Sequence, residues 1–218
     1  MHESLQWDDL PLGDHFVPAG TLLAGEYMRL VMPVPLQQRF MERLFCAGET
    51  SACDWQIAFQ SDEGRYPIGT SAFTWRIGSL IRDHGILANL TLGENLLLPF
   101  LYQQDREKLL QAEAARDKVA TWLGVREQLA ERAGVRSTYM HALISLGRCM
   151  LTKPRVIVAQ EAHIGMSPEH LAHFRALSGE LLQELDCGLL YLSDSADEGS
   201  ALTFAKSVHI SSGAGAKA

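Results

Sequence analysis

Residues 24–48 read AGEYMRLVMPVPLQQRFMERLFCAG. After Ala24-Gly25, EYMRLV is a short apolar run of the buried-strand kind, and LQQRFMERLF then sets Leu36, Phe40, Leu44 and Phe45 at helical spacing. Strand, loop and helix in that order open an α/β unit. Towards the C-terminus the alternation returns. PRVIVAQ is a β-branched run behind Pro154, HLAHFRALSGELLQELD carries Leu171, Phe174, Leu177, Leu181 and Leu185 on one helical face, and GLLYLSD and SVHISS are two further apolar runs. Strands alternating with amphipathic helices predict a sheet with parallel pairings, covered by helices.

Between these ends the pattern loosens. WQIAF and SAFTWRIGSLI are strand-like pieces separated by SDEGRYPIGT, whose Gly and Pro mark turns. From about 93 to 150 the sequence reads as helical throughout, with Leu109, Leu110, Val119, Trp122 and Leu123 forming apolar faces between charges. The last residues, SSGAGAKA (211–218), are small and predict a flexible tail.

Composition narrows the class. Of 218 residues, 47% are apolar and 21% charged, so disorder and a disulfide scaffold are excluded, and one core can form without a crosslink. A net charge of −7 with 19 scattered basic residues argues against a nucleic-acid partner. The first twenty residues lack a basic start followed by an apolar core, so no leader is expected and the thiols of Cys46, Cys53, Cys149 and Cys187 are expected reduced and cytoplasmic, with Cys46 buried. The most apolar stretch, 86–101, is broken by Asn89, Thr91, Glu94 and Asn95 and cannot span a bilayer.

Three blocks together resemble the ATP-binding subunit of ABC transporters over nearly the whole chain. The first is AGEYMRLVMPVPLQQRFMERLFCAG, similar to the family's Gly-Glu, strand, phosphate loop and helix. The second is RIGSLIRDHGILANLTLGENLLLPFLY, similar to the Q-loop segment, with Leu90, Thr91, Glu94, Asn95, Leu98 and Pro99 in its Leu-Thr-x-x-Glu-Asn and Leu-Pro. The third, ALISLGRCMLTKPRVIVAQEAHIGMSPEHL, is similar to the helix after the signature, the Walker B strand and the D-loop. Ser137 lies 23 residues before Gln160, and Gln160 lies 33 before Ser193, the family's usual separations. The resemblance implies an α/β, P-loop NTPase-like ABC ATPase fold: a mixed-sheet core over about 1–85 and 151–210 and an α-helical subdomain over about 86–150. The Leu-Pro ending looks most like the subclass serving lipid, lipoprotein or peptide-export permeases.

The positions that carry the family's chemistry hold other residues. Binding phosphate takes glycines that let N–H groups turn inward, a Lys on the phosphates and a hydroxyl on magnesium. The corresponding stretch Met32–Phe40 has no glycine; Pro33 and Pro35 lie in it, Gln38 stands at the Lys and Arg39 at the hydroxyl. By the same register the Walker B Asp is Gln160, the Q-loop Gln is Arg82, the switch His is Ser193 and the D-loop Asp is Ser167. The signature reads Arg136-Ser137-Thr138-Tyr139-Met140 and keeps only Ser137. Glu161, at the general-base position, is retained, although a base without phosphate or metal has nothing to activate.

Three functional readings follow. The first is a pseudo-ATPase: a cytoplasmic, non-hydrolysing subunit peripheral to the membrane, acting as scaffold or regulator. Its partners are a permease, met through Arg82, Ile86, Leu87, Leu90, Glu94, Asn95 and Pro99, and a second subunit in a homodimer or a heterodimer with an intact ATP-binding chain. No cofactor is expected. The second is a weak or composite ATPase using ATP, magnesium and Glu161 as base. The third is an anion-binding module built on Arg39 and Arg82. Each residue also has a plainer reading: Glu161 as a solvated or capping carboxylate, Ser137 as a helix cap, 86–102 as ordinary packing. His163, His170 and His173 lie close in sequence, but no Cys or carboxylate stands at matching spacing and no metal is expected.

Overall fold

The computed structural model describes residues 3–45, 57–82, 85–196 and 202–210. Cys46, Cys53 and the 211–218 tail lie outside them. Four short strands come first: β1 (Ser4–Trp7), β2 (Leu10–Leu12), β3 (His15–Val17) and β4 (Gly20–Leu23). Then follow β5 (Tyr27–Val31), α1 (Val34–Phe45), β6 (Ile57–Ser61), β7 (Gly64–Pro67), a single helical turn α2 (Ser71–Thr74) and β8 (Ile77–Ile81). Three helices, α3 (Leu92–Gln103), α4 (Arg106–Trp122) and α5 (Thr138–Thr152), lead to β9 (Val156–Gln160), α6 (Pro168–Leu185), β10 (Gly188–Ser193) and β11 (Lys206–His209).

The chain divides into two units. The first comprises the described residues of 1–77, 155–160 and 186–218; the second comprises those of 78–154 and 161–185. In the first unit the strands β11-β5-β10-β9 lie side by side, all parallel, and β4-β1-β6-β7 form an antiparallel sheet. Every residue of β9 is buried, as a parallel strand covered on both faces requires. α1 buries Leu36, Phe40, Met41 and Leu44 and packs on β10 and β2. At about 1.5–3 kcal/mol for each large apolar side chain, this one face accounts for several kcal/mol of burial.

In the second unit α3, α4 and α5 pack on one another and α6 packs on α5. Gly147 makes the closest approach possible: a Cβ there would sit 2.5 Å from Leu96 Cδ2 and 2.8 Å from Leu123 Cδ1.

Several local expectations need correction. The helix after β5 starts at Val34, so that only Met32 and Pro33 join strand to helix and no extended loop occupies 34–40. Residues 123–137 are turns and two 3₁₀ turns rather than continuous helix. Ser71–Thr74 is a helical turn because Thr70 caps it, its side chain accepting from Phe73 N–H, and Gly64–Pro67 is a strand rather than a turn. α6 groups with the helices of the second unit, whereas the sequence boundaries near 86 and 150 left it in the core.

Candidate functional site

The site is built on the C-terminal ends of β5, β9 and β10 and on the start of α1. A helix N-terminus binds anions through the N–H groups that its first turn leaves unused. Here those groups are spent or missing. Pro33 and Pro35 have no N–H, and the N–H groups of Leu36 and Gln37 both donate to the Pro33 carbonyl, at 2.8 and 3.2 Å. Of residues 33–37, only Val34 has an N–H that donates to no backbone carbonyl among the described residues. The Gln37 side chain is fully buried and folds back, donating from Nε2 to the Met32 carbonyl at 2.9 Å, while Met32 N–H donates to the Ser193 carbonyl at 2.8 Å. The space between strand and helix is thus filled by the chain's own groups.

Around this corner the polar side chains are inward. Gln160 is 8% exposed and Ser193 wholly buried; the Ser193 hydroxyl and Gln37 Oε1 have no hydrogen-bond partner among the described residues. Gln38 and Arg39 are exposed. The Arg39 guanidinium reaches the turn between β2 and β3, where a Cβ on Gly13 would lie 3.0 Å from Nη1. Gly13 has a φ of +69°, a conformation glycine adopts without cost. That hairpin is firmly seated, with Leu10, Leu12 and Val17 each at most 3% exposed.

Glu161 belongs to the second unit. It has a φ of +47°, unusual for a side chain with a Cβ, and pairs with Ile81 in an isolated antiparallel bridge. Its Oε2 lies 3.6 Å from Arg82 Nη1, with the Glu161 side chain 12% exposed and that of Arg82 58%. The two residues assigned to separate roles by the resemblance therefore form an ion pair. Ser137 is the N-cap of α5: its Oγ accepts from Met140 N–H at 3.3 Å. Beside it Tyr139 stacks flat on His170, centroids 4.0 Å apart and planes within 4°, and its hydroxyl is hydrogen-bonded to His173 Nδ1. Burial, with the Glu169 charge adding to it, raises the Tyr139 hydroxyl above its ordinary pKa.

The segment expected to meet a partner is held by a network that the sequence did not announce. Pro99 sits inside α3 and has no N–H for the carbonyl of Asn95, one turn earlier. Arg148 of α5 supplies the donor instead: Nε to Asn95 O at 2.7 Å, Nη2 to Asn95 Oδ1 at 3.1 Å, and Nη1 to Gly85 O at 3.0 Å. Asn95 itself accepts from Leu87 N–H at 2.9 Å and donates to the carbonyls of Leu87 and Thr91, each at 3.0 Å. Burial pushes the Arg148 guanidinium down to about 10. Thr91 and Glu94 close a capping box, and hydrogen bonds from the Thr91 N–H and hydroxyl hold the Glu94 carboxyl below the usual range. Asn95 is fully buried and positions the segment from inside. Within the segment Leu87 is exposed, while Ile86, Leu90 and Pro99 are half-buried.

Among the described residues no group of three or more His, Cys, Asp or Glu side chains is placed to hold a metal, and no helix is long and apolar enough to cross a membrane. No protein-family profile matches the chain. Among solved structures it is similar to cbiO1 from Clostridium perfringens, part of the ABC transporter complex cbiONQ, with a TM-score of 0.67 and 11% identity over 92% of this chain and 82% of that one. A second, an ATP binding subunit of an ABC transporter, gives 0.68 and 15% over 87% and 79%. A third, an ATP-binding cassette in its ADP conformation, gives 0.62 and 18% over 90% and 83%.

The fold is that of an ATP-binding cassette.

Curated proteins similar in sequence agree with this. The molybdenum import ATP-binding protein ModC of Paramagnetospirillum magneticum is 26% identical over 148 residues, 66% of this chain and 38% of that protein. ModC of Hahella chejuensis is 24% identical over 122 residues, 56% and 33%. The lipoprotein-releasing system ATP-binding protein LolD of Psychrobacter arcticus is 26% identical over 119 residues, 54% and 51%. The chain spans between a third and about half the length of these curated relatives. On the cassette fold the parallel strands β5, β9 and β10 end beside the start of α1, which is where an open α/β sheet places a ligand crevice. Gln160 and Ser193 close β9 and β10 at that edge, and Arg39 extends from α1 to the Gly13 turn.

Proposed function

We propose that this chain is a non-hydrolysing, ATP-binding-cassette-type subunit that serves as scaffold or regulator in a membrane transport complex. The start of α1 carries the reading. Phosphate binding at a helix N-terminus needs free N–H groups, and between Pro33 and Gln37 the two prolines and the two bonds to the Pro33 carbonyl leave only the amide of Val34. Gln38 brings no charge to the phosphates, and Gln160 offers an amide where a carboxylate would hold magnesium through water. Each charge-assisted hydrogen bond forgone is worth about 1.5–3 kcal/mol and each 1.4 kcal/mol about tenfold, so affinity for Mg-ATP falls by roughly a thousandfold or more.

Glu161 points the same way. Its carboxylate lies 3.6 Å from the Arg82 guanidinium, an ion pair that a general base would have to give up before it could take a proton from water. The proposed partners are a permease, received on the segment from Arg82 to Pro99, where Arg82, Leu87 and Glu94 are exposed, and a second cassette subunit, identical or intact. That assembly places the chain at the cytoplasmic surface of the membrane through its partner. The alternative, a composite ATPase with Glu161 as base, keeps one supporting observation: the carboxylate is present and held in a fixed position. Magnesium-dependent phosphate release separates the two. The proposal expects the same background rate from the native chain and from Glu161→Gln; a rate that Glu161→Gln abolishes overturns it.

A further inference from the structure

A cavity of about 700 Å³ opens on the first unit, away from the start of α1, and the activity proposed above makes no use of it. Arg65 of β7 and Lys206 of β11 reach it from two different sheets, and Asp8, just past β1, lines the same space. None of the three is in an ion pair among the described residues, and all are exposed. Single cations on edge strands commonly do no more than keep edges apart. Two that converge on one cavity, with a carboxylate that neutralises neither, make a charged recess.

We propose that this recess binds a phosphate monoester of a hydroxyl-rich small molecule, a sugar phosphate in class. The charges set the anion: a guanidinium fork and an ammonium that line one recess suit a dianionic phosphate, and Asp8 in the same lining repels a second anionic group. The remaining lining sets the rest of the molecule. Gln6 and Thr21 are direct cross-strand neighbours and line the recess together, adding amide and hydroxyl groups to the Asp8 carboxylate as partners for ligand hydroxyls. A nucleobase fits poorly. Trp7 is 5% exposed, its indole N–H donates to Pro18 O at 2.9 Å, and Gly20 lies so close over the ring that a Cβ there would be 2.4 Å from Cζ2. The indole is roofed by β4 and has no open face on which to stack a base.

The proposal stands independently of whether the chain binds ATP, and its test omits magnesium. Thermal unfolding of the full chain is followed with glucose 6-phosphate, with inorganic phosphate, with glucose and with sodium chloride at matched ionic strength. Glucose 6-phosphate is expected to raise the midpoint saturably by several degrees, inorganic phosphate by less, and glucose and chloride not at all. Arg65→Ala and Lys206→Ala, both at exposed positions, are expected to fold and to lose the response. The proposal is overturned by no response to glucose 6-phosphate, by an equal response to chloride, or by a response that survives in both variants.

Discussion

Arg148 offers the sharpest test of how the second unit is held. Its guanidinium donates to Asn95 O, Asn95 Oδ1 and Gly85 O, three bonds among the described residues, and the first of these replaces a helical bond that Pro99 cannot make. Arg148→Ala deletes all three and leaves the Asn95 carbonyl, inside a buried part of α3, without a donor. With bonds to charged donors worth about 1.5–3 kcal/mol each, and water able to replace the one at exposed Gly85, the cost is about 3–6 kcal/mol. At roughly 2–4 °C per kcal/mol for a domain of this size, the midpoint falls by on the order of 10 °C. Pro99→Ala restores an N–H one turn from Asn95 O, which is worth about 1 kcal/mol more when Arg148 is absent than when it is present. Urea unfolding of the two single variants and the double variant gives that coupling directly. A double-mutant cycle that is additive within about 0.5 kcal/mol refutes the claim that Arg148 serves the carbonyl orphaned by Pro99.

Other perturbations follow from the same packing. Gly147→Ala drives a methyl against Leu96 and Leu123 and costs about 1–3 kcal/mol in chemical denaturation; an unchanged midpoint contradicts the close approach of α3 and α5. Gly13→Ala forces a Cβ into a positive φ and against Arg39, lowering stability by about 1 kcal/mol, and Arg39→Ala in the same chain relieves only the contact, not the backbone cost. The Glu94 carboxyl titrates below its unfolded value, so its contribution is complete above the unfolded pKa and is lost as pH falls through the folded one. Glu94→Gln therefore flattens the acid limb of the stability profile, and an identical limb in both chains refutes the capping box. Cys187 is buried, and burial raises its thiol to about 11; it should resist alkylation at pH 8 until the chain unfolds.

The fold was legible wherever apolar spacing is unambiguous. VIVAQ and GLLYLS read as buried strands because parallel strands need apolar groups on both faces, and the stripe of Phe174, Leu177 and Leu181 announces α6. What escaped was decided by partners distant in sequence. β1 is short and is ordered by pairing with β4 and β6, which no local pattern displays; β2 and β3 are instead a local hairpin of three-residue strands, one carrying Pro11, too short to read as alternation. The stretch after β5 reads as a loop by resemblance, yet its residues are ordinary helix formers behind a proline at the first turn, and without glycines the chain takes the helical path from Val34.

The candidate site was legible as a set of positions rather than as a set of contacts. Glu161 and Arg82 could be named separately, but their ion pair depends on the bridge between Ile81 and Glu161. Pro99 inside a helical pattern was the available signal for Arg148, since a proline there requires some donor for the carbonyl four residues back. The Tyr139 stack on His170 had no signal beyond the one-turn spacing of the two histidines.

The central claim is that the start of α1 no longer receives phosphate. Calorimetric titration of the purified chain with ATP and magnesium at millimolar concentration tests it directly, with Arg65→Ala as background so that the second recess contributes nothing. The account predicts no saturable, magnesium-dependent heat. Magnesium-dependent binding in the micromolar range, lost on Gln38→Ala or Arg39→Ala, contradicts it.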